Sequence, residues 1–371
     1  MKQQSLAGQN IRAKYLFEST SHQARSLVRE RSGLYISISM VVVSTIYKHT
    51  PRGSVYTDAY GCIGWACGDL ETSAHICHHI CANVHCCVID VSYRLIPEYP
   101  FPIGIFDSLS AVAHILINHR TFSIDPHNIT LGGESSGGTI ALALSHIFRD
   151  AGEQWSKRLK GVVVGTPSIC DLRRISTAQE SPFESMRDSE RMPLLNWQKL
   201  KWFDSFKWMS LTAQPPGLLV PQLQSPQNDI NSRKVENVPR PNHKQMMADV
   251  SWYANLLTAP NHKDLAPLTY IATAEFDPLR DEGETYAQIL RENGNNVVTT
   301  RFMGVPHSFM HMDGVLRQGK EYSEEVINNI RTCLYPPEAN EGSNTGKEKE
   351  GLKQSNNAHD QGEDVGMEES E

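Results

Sequence analysis

The chain has no apolar run long enough for a membrane helix, no cysteine pair in C-x-x-C spacing, and no net charge outside its C-terminal tail. A membrane span needs about 18 consecutive apolar residues. The best candidate, Leu34 to Tyr47, is broken by Ser37, Ser39, Ser44 and Thr45, and its β-branched residues favour strands. The first residues are polar and lack the apolar core of a secretion signal. The final Glu369-Ser370-Glu371 is no peroxisomal address, so a cytoplasmic location is the expectation. The formal charge of −7 resides in the tail: Pro336 to Glu371 carries ten acids and three bases, leaving 32 acids and 32 bases elsewhere. A neutral body offers no nucleic-acid surface. The tail also lacks aromatic residues and has few aliphatic ones, which reads as disorder.

Cysteine is present but poorly placed for metal. Cys62, Cys67, Cys77, Cys81, Cys86 and Cys87 lie close to His75, His78, His79 and His85, which raises a zinc site as a reading. Their spacing speaks against it. Cys86 and Cys87 fall in the apolar run Val84 to Val91, where a free thiol behaves as a small hydrophobe. Neither a metal nor a cofactor is expected, and disulfides are not expected without a secretion signal.

What the chain does contain is alternation. Strand-like runs at Ile36 to Tyr47, Val84 to Ser92, Asn128 to Gly132 and Gly161 to Gly165 alternate with helical segments at Ser73 to Asn83, Phe106 to His119 and Ser136 to Asp150. The pattern returns after residue 265. Pro267 to Thr273 and Asn296 to Phe302 read as strands, and Asp281 to Asn293 and Tyr322 to Cys333 as helices. Such alternation predicts an α/β fold with a mostly parallel sheet covered on both faces. Between them, about residues 171–262, the alternation stops. This Pro-, Ser- and Gln-rich insertion holds the aromatic cluster Trp197, Trp202, Phe203, Phe206 and Trp208. The cluster can line a pocket as a lid, and Trp197, Leu200 and Phe203, at helical spacing, can equally pack the insertion onto the core; the two roles do not exclude each other. The expected organisation is a helical N-terminal segment (1–33), a main domain (34–335) carrying the insertion, and the tail (336–371).

The sharpest local signal is Gly133-Glu134-Ser135-Ser136-Gly137-Gly138, between the apolar stretch Ile129-Thr130-Leu131 and a helix-like run. Strand, G-x-S-x-G and helix together form the setting of a nucleophile elbow. The turn is tight enough to require glycine, and it presents the Ser135 hydroxyl at a helix N-terminus, where an oxyanion is stabilised. A serine nucleophile needs a base and an orienting carboxylate, in the chain order serine, acid, histidine. Two later strands each end in one such residue: Asp277, in Asp277-Pro278-Leu279-Arg280-Asp281, and His307, in Pro306-His307-Ser308-Phe309. Asp281 is the alternative acid.

These motifs resemble the hormone-sensitive-lipase branch of the α/β-hydrolases over about residues 34–334. The G-D-S-A-G-G of that family stands here as Gly133 to Gly138. Its Y-R-L-A-P-E-x-P-x-P stands as Tyr93 to Pro102, with Asp107 downstream. Its D-P-L-x-D stands as Asp277 to Asp281, and its H-x-F as His307-Ser308-Phe309. The resemblance implies an α/β-hydrolase fold with a cap insertion and a cofactor-free serine carboxylesterase acting on small or medium acyl esters. Ser135 would be the nucleophile, His307 the base and Asp277 the orienting acid. The family often dimerises, and a homodimer is the corresponding expectation. The wording of residues 166–210 is similar to fungal members, some of which serve secondary-metabolite or toxin pathways.

One motif departs from the family. Its H-G-G-G-W/F aligns with Gly61-Cys62-Ile63-Gly64-Trp65, so two oxyanion-loop glycines are replaced by Cys62 and Ile63. A β-branched residue resists positive φ and fills space near the substrate oxygen. Cys62, Ile63 and Ser136 are therefore the expected, degenerate oxyanion hole. The alternative function is an impaired relative that keeps the pocket to bind a small molecule. A third reading is lactone or amide cleavage on the same fold.

Overall fold

The computed structural model describes residues 64–68, 70–122, 124–208 and 251–336, together with the backbone of strands at 35–38, 42–47 and 53–58. Cys62, Ile63, the N-terminal segment, residues 209–250 and the tail beyond residue 336 lie outside the described residues.

Eight strands form one sheet: β1 (Tyr35–Ile38), β2 (Val42–Tyr47), β3 (Gly53–Asp58), β4 (Cys87–Ser92), β5 (Ile124–Glu134), β6 (Leu159–Gly165), β7 (Thr269–Phe276) and β8 (Val297–Pro306). Their spatial order is β1-β2-β4-β3-β5-β6-β7-β8. The pairs β1/β2 and β2/β4 are antiparallel and every other pair is parallel. The run Ile36 to Tyr47, read above as one strand, therefore folds back on itself, with Ile38 opposite Val42. The weakly apolar segment around Tyr56 still forms β3, because β4 and β5 supply ladder partners on both sides.

The faces are set by side-chain alternation. In β6, Val162 and Val164 join one core while Val163 joins the other; in β4, Ile89 and Val91 oppose Val88 in the same way. The first core is covered by α2 (Ile103–Ile117), α3 (Ser136–Asp150) and α5 (Arg280–Glu292). The second is covered by α1 (Leu70–Val84) and α6 (Arg317–Leu334). Five thiols (Cys77, Cys81, Cys86, Cys87 and Cys333) are buried as apolar filling in these cores. The helix α4 (Trp197–Lys207) belongs to the 171–262 segment and packs through Trp197 and Leu200 onto Cys170, Leu195 and Leu279. No helix among the described residues is long and apolar enough to cross a membrane.

The segment Tyr93 to Pro102 is held by a two-pronged ion pair. Arg94 Nε and Nη2 reach the two Asp107 oxygens at 2.8 and 2.7 Å, and the Arg94 backbone N–H adds a third bond at 3.1 Å. Phe101 from this segment meets Trp65 edge-on at 5.4 Å. The segment thus forms a wall beside the loop that precedes α1.

Candidate active site

Parallel strands gather their C-terminal loops at one edge, and three of those loops converge. Ser135 follows β5, Asp277 follows β7, and His307 follows β8. Strands β7 and β8 are neighbours, so the acid and the histidine leave the sheet side by side.

Ser135 has φ 52° and ψ −115°, a conformation costly for a side-chain-bearing residue and maintained by its surroundings. Its N–H donates to the Gly165 carbonyl at 3.0 Å, and its carbonyl accepts the Thr139 amide at 3.1 Å to open α3. A side chain at Gly133 would place its Cβ 2.7 Å from the Gly137 carbonyl oxygen, so the strand and the helix meet there backbone to backbone. Gly165 is covered by a side chain instead of by backbone. A Cβ there would lie 2.5 Å from the carboxyl carbon of Glu134, the residue beside it in the β5/β6 register.

The hydroxyl of Ser135 lies 3.2 Å from His307 Nε2. His307 Nδ1 lies 2.8 Å from Asp277 Oδ2. Asp277 is fully buried, and its second oxygen accepts the Leu279 N–H at 2.9 Å. The carboxylate is thus held from both sides. Asp281 is engaged elsewhere: it accepts the Ser185 N–H at 2.7 Å and Arg280 Nε at 2.7 Å. Those bonds pin α5 to the 171–262 segment and turn Asp281 away from a role beside His307.

Behind Asp277 sits Glu282, completely buried. Its carboxyl is pushed up to about 7, first by burial and last by the nearby Asp277 charge, although the Ile169 N–H donates to it at 2.7 Å. Burial also pushes the adjoining Cys170 thiol up and out of thiolate chemistry. On the other side of His307, burial pulls the His311 imidazole below its ordinary range, with smaller contributions from His75 and His307.

Ser135, Ser136 and His307 open into a cavity of about 550 Å³. Leu172, Leu195, Leu200, Trp202 and Phe203 line much of the rest, which makes the cavity mostly apolar. The aromatic cluster therefore divides its work: Trp197 packs into the core, while Trp202 and Phe203 face the cavity. Phe203 lies against Gly64 so closely that a Cβ there would fall 2.6 Å from the ring. Ser136 begins α3 with its hydroxyl 3.1 Å from the Tyr93 hydroxyl, a pair that depends on serine where the motif more often has alanine. Gly64 and Trp65 are in place at the cavity wall, whereas Cys62 and Ile63 lie outside the described residues. Sequence reasoning passes over Lys207, Cys170 and Glu282. For Lys207 a signal existed, since Leu200, Phe203 and Lys207 stand at i, i+3 and i+7 on one helical stripe.

Comparison with known proteins follows the same outline. The chain is 28% identical over 274 residues to lipase 2 of Moraxella sp. (strain TA144), spanning 73% of this chain but only 58% of the lipase. It is 26% identical over 273 residues to the versiconal hemiacetal acetate esterase of Dothistroma septosporum, covering 73% of this chain and 71% of the esterase. Its fold is similar to that of EstE1, a thermostable carboxylesterase from a metagenomic library, with a TM-score of 0.65 and 24% identity over 91% of this chain and 98% of that one. Residues 62–215 and 242–311 match the alpha/beta hydrolase fold family, a span that takes in β4 to β8 and every residue of the Ser135–His307–Asp277 line, and the chain belongs to that family.

Proposed function

We propose that this chain is a serine carboxylesterase of the hormone-sensitive-lipase type, acting on esters with small or medium acyl groups. The observation that carries the proposal is the hydrogen-bonded line from Asp277 through His307 to Ser135, opening into an apolar cavity. Similarity to a lipase and to an acetate esterase supports the same chemistry. In the acylation step, His307 Nε2 takes the Ser135 proton as the oxygen attacks the ester carbonyl. Asp277 holds the Nδ1–H tautomer and stabilises the imidazolium. The imidazolium then protonates the departing alkoxide, leaving an acyl-serine. Water repeats the sequence, with His307 again as base, and releases the acid. The carbonyl oxygen is met by backbone N–H groups of Ser136 and of the loop carrying Cys62 and Ile63. The segment 171–262 acts as a cap whose Trp202 and Phe203 form the acyl wall. Likeness to the versiconal hemiacetal acetate esterase extends the proposal to an ester of a secondary metabolite, in keeping with the wording of residues 166–210.

The test is hydrolysis of p-nitrophenyl esters from acetate to octanoate beside a Ser135→Ala control, with fluorophosphonate labelling of Ser135. Release above the control, strongest at short to medium chains, is expected. No release above the control, with Ser135 unlabelled, refutes the enzyme and favours the small-molecule binder that the altered Cys62-Ile63 loop suggests.

A further inference from the structure

Lys207 ends α4 at the cavity wall with 6% of its surface exposed. Its ammonium sits among ring faces, 4.7 Å from the Phe101 centroid, 5.1 Å from Trp65 and 5.6 Å from Trp208. Among the described residues it makes no ion pair and no hydrogen bond: the acids nearby are committed to other donors. Asp204 accepts Lys201 Nζ at 3.3 Å and the Trp208 indole N–H at 3.2 Å. Asp171 is held by the Arg173 guanidinium at 2.6 and 2.8 Å. Glu282 takes the Ile169 amide, and its raised carboxyl is only partly charged near neutrality.

Rings stabilise a cation, but they leave the three N–H donors of an ammonium without acceptors. An ammonium that is largely buried and keeps only the cavity side open is poised to meet an acceptor that enters the cavity. With Asp171 balanced by Arg173 and Asp204 by Lys201, the Lys207 ammonium is the charge left without a counter-ion among the described residues around it. Apolar pockets draw their selectivity from a few polar groups placed in this way.

We propose that Lys207 is an anion-binding group of the cavity, which selects esters whose acyl chain ends in a carboxylate over their uncharged counterparts. The inference rests on the cavity being the ester site of Ser135, and it names the substrate class of that site: monoesters of dicarboxylic acids. The free carboxylate would take the ammonium's donors while the ester carbonyl meets Ser135.

The probes are monoethyl adipate and ethyl hexanoate, which differ at the chain end by a carboxylate for a methyl group. Hydrolysis is followed by ethanol release in wild type, Lys207→Met and Lys207→Arg. The readout is the ratio of kcat/KM for the anionic ester to that for the neutral one, in which any common loss from altered packing cancels. Lys207→Met is expected to lower the ratio about tenfold or more, the effect of a charged hydrogen bond, and Lys207→Arg to retain most of it. Burial holds the Lys207 amine below its ordinary range; Asp204, Asp171 and Glu282 oppose that effect and Arg173 adds to it. The wild-type ratio should therefore fall as pH rises through the lowered value, while the Lys207→Met ratio stays flat. A ratio unchanged within threefold in Lys207→Met, or equal losses on both esters, overturns the proposal. Titration of the same two esters into Ser135→Ala protein, with and without Lys207→Met, reads the discrimination by binding alone. An inactive wild type would then refute the esterase, whereas equal binding of the two esters by Ser135→Ala protein would refute the role of Lys207.

Discussion

Replacing Asp277 by Asn should cost far more activity than the loss of one charge suggests, and the geometry says why. Asp277 faces two donors, the Leu279 N–H at 2.9 Å and His307 Nδ1 at 2.8 Å. An asparagine keeps its carbonyl oxygen for the Leu279 amide, because an NH2 group there would confront another donor. Its NH2 group then faces Nδ1. Two donors cannot share that position, so His307 must present a lone pair at Nδ1 and carry its proton on Nε2. Nε2 is the atom 3.2 Å from Ser135 Oγ. With the proton there, the ring cannot accept the serine proton, and the nucleophile is never generated. A wrong tautomer of this kind costs about 10⁴ in kcat, or roughly 5.4 kcal/mol of barrier at 1.36 kcal/mol per decade. The assay is p-nitrophenyl butyrate hydrolysis together with the rate of fluorophosphonate labelling, and both should fall in parallel while the melting temperature changes little. Asp281→Asn is the control. Its oxygens serve Ser185 and Arg280, so it should lose about 1 kcal/mol of stability and less than about tenfold in rate. A loss below about tenfold for Asp277→Asn, or a larger loss for Asp281→Asn, would refute the assignment.

Other expectations follow from particular contacts. Gly133→Ala should lower activity more than about 100-fold, with slowed labelling of Ser135, since its Cβ meets the Gly137 backbone and displaces the elbow. Tyr93→Phe should cost about 1 kcal/mol by thermal or urea denaturation and a few-fold in rate, because it removes the hydroxyl partnered with Ser136. Asp90 is buried and pushed up to about 7, mainly by burial and against the Ser73 hydroxyl that donates to it at 2.6 Å. A raised carboxyl stabilises least when ionised, so its contribution is lost as pH rises from about 4 through about 7. Asp90→Asn should therefore gain on wild type in melting temperature between pH 5 and pH 8, and equal shifts at both pH values would contradict this. His146 is buried with its Nε2 2.8 Å from the Tyr286 hydroxyl, and burial, then Arg149 and His262, hold it well below its ordinary range. Its contribution is complete above about pH 6.5 and lost as pH falls below that value, so His146→Phe should flatten the acid limb of the stability curve.

The serine, the acid and the histidine were all legible in the sequence, because each is marked by glycine or proline and lies just after an apolar run. Helix α3 was legible to the residue, since the elbow fixes its start. Elements that depend on distant partners were not. The helix α2 begins at Ile103, before the predicted Phe106, although Gly104 is a poor helix former. A Cβ at that position would be 2.8 Å from the Tyr93 ring, so tertiary packing selects glycine there. The hairpin of β1 and β2 was hidden because a single apolar run carries no mark of where it reverses. The insertion's two candidate roles could not be separated by spacing, and one helix serves both: Trp197 packs into the core, Trp202 and Phe203 line the cavity, and Leu200 does both. Lys207 shares the stripe of Leu200 and Phe203, but a lysine on a helix usually reads as solvated surface, and only the three rings around it mark it as buried.

The fit between Glu134 and Gly165 also limits the routes along which this sequence can change. A glutamate before the nucleophile fills the space over Gly165, so a side chain at 165 requires the Glu134 carboxylate to move. Aspartate at 134 is one methylene shorter and withdraws the carboxylate. Substitutions at the two positions are therefore coupled: after Glu134→Asp opens the space, Gly165→Ala no longer has a carboxylate to displace. In the reverse order the first step displaces the buried Glu134 carboxylate from its place beside β6.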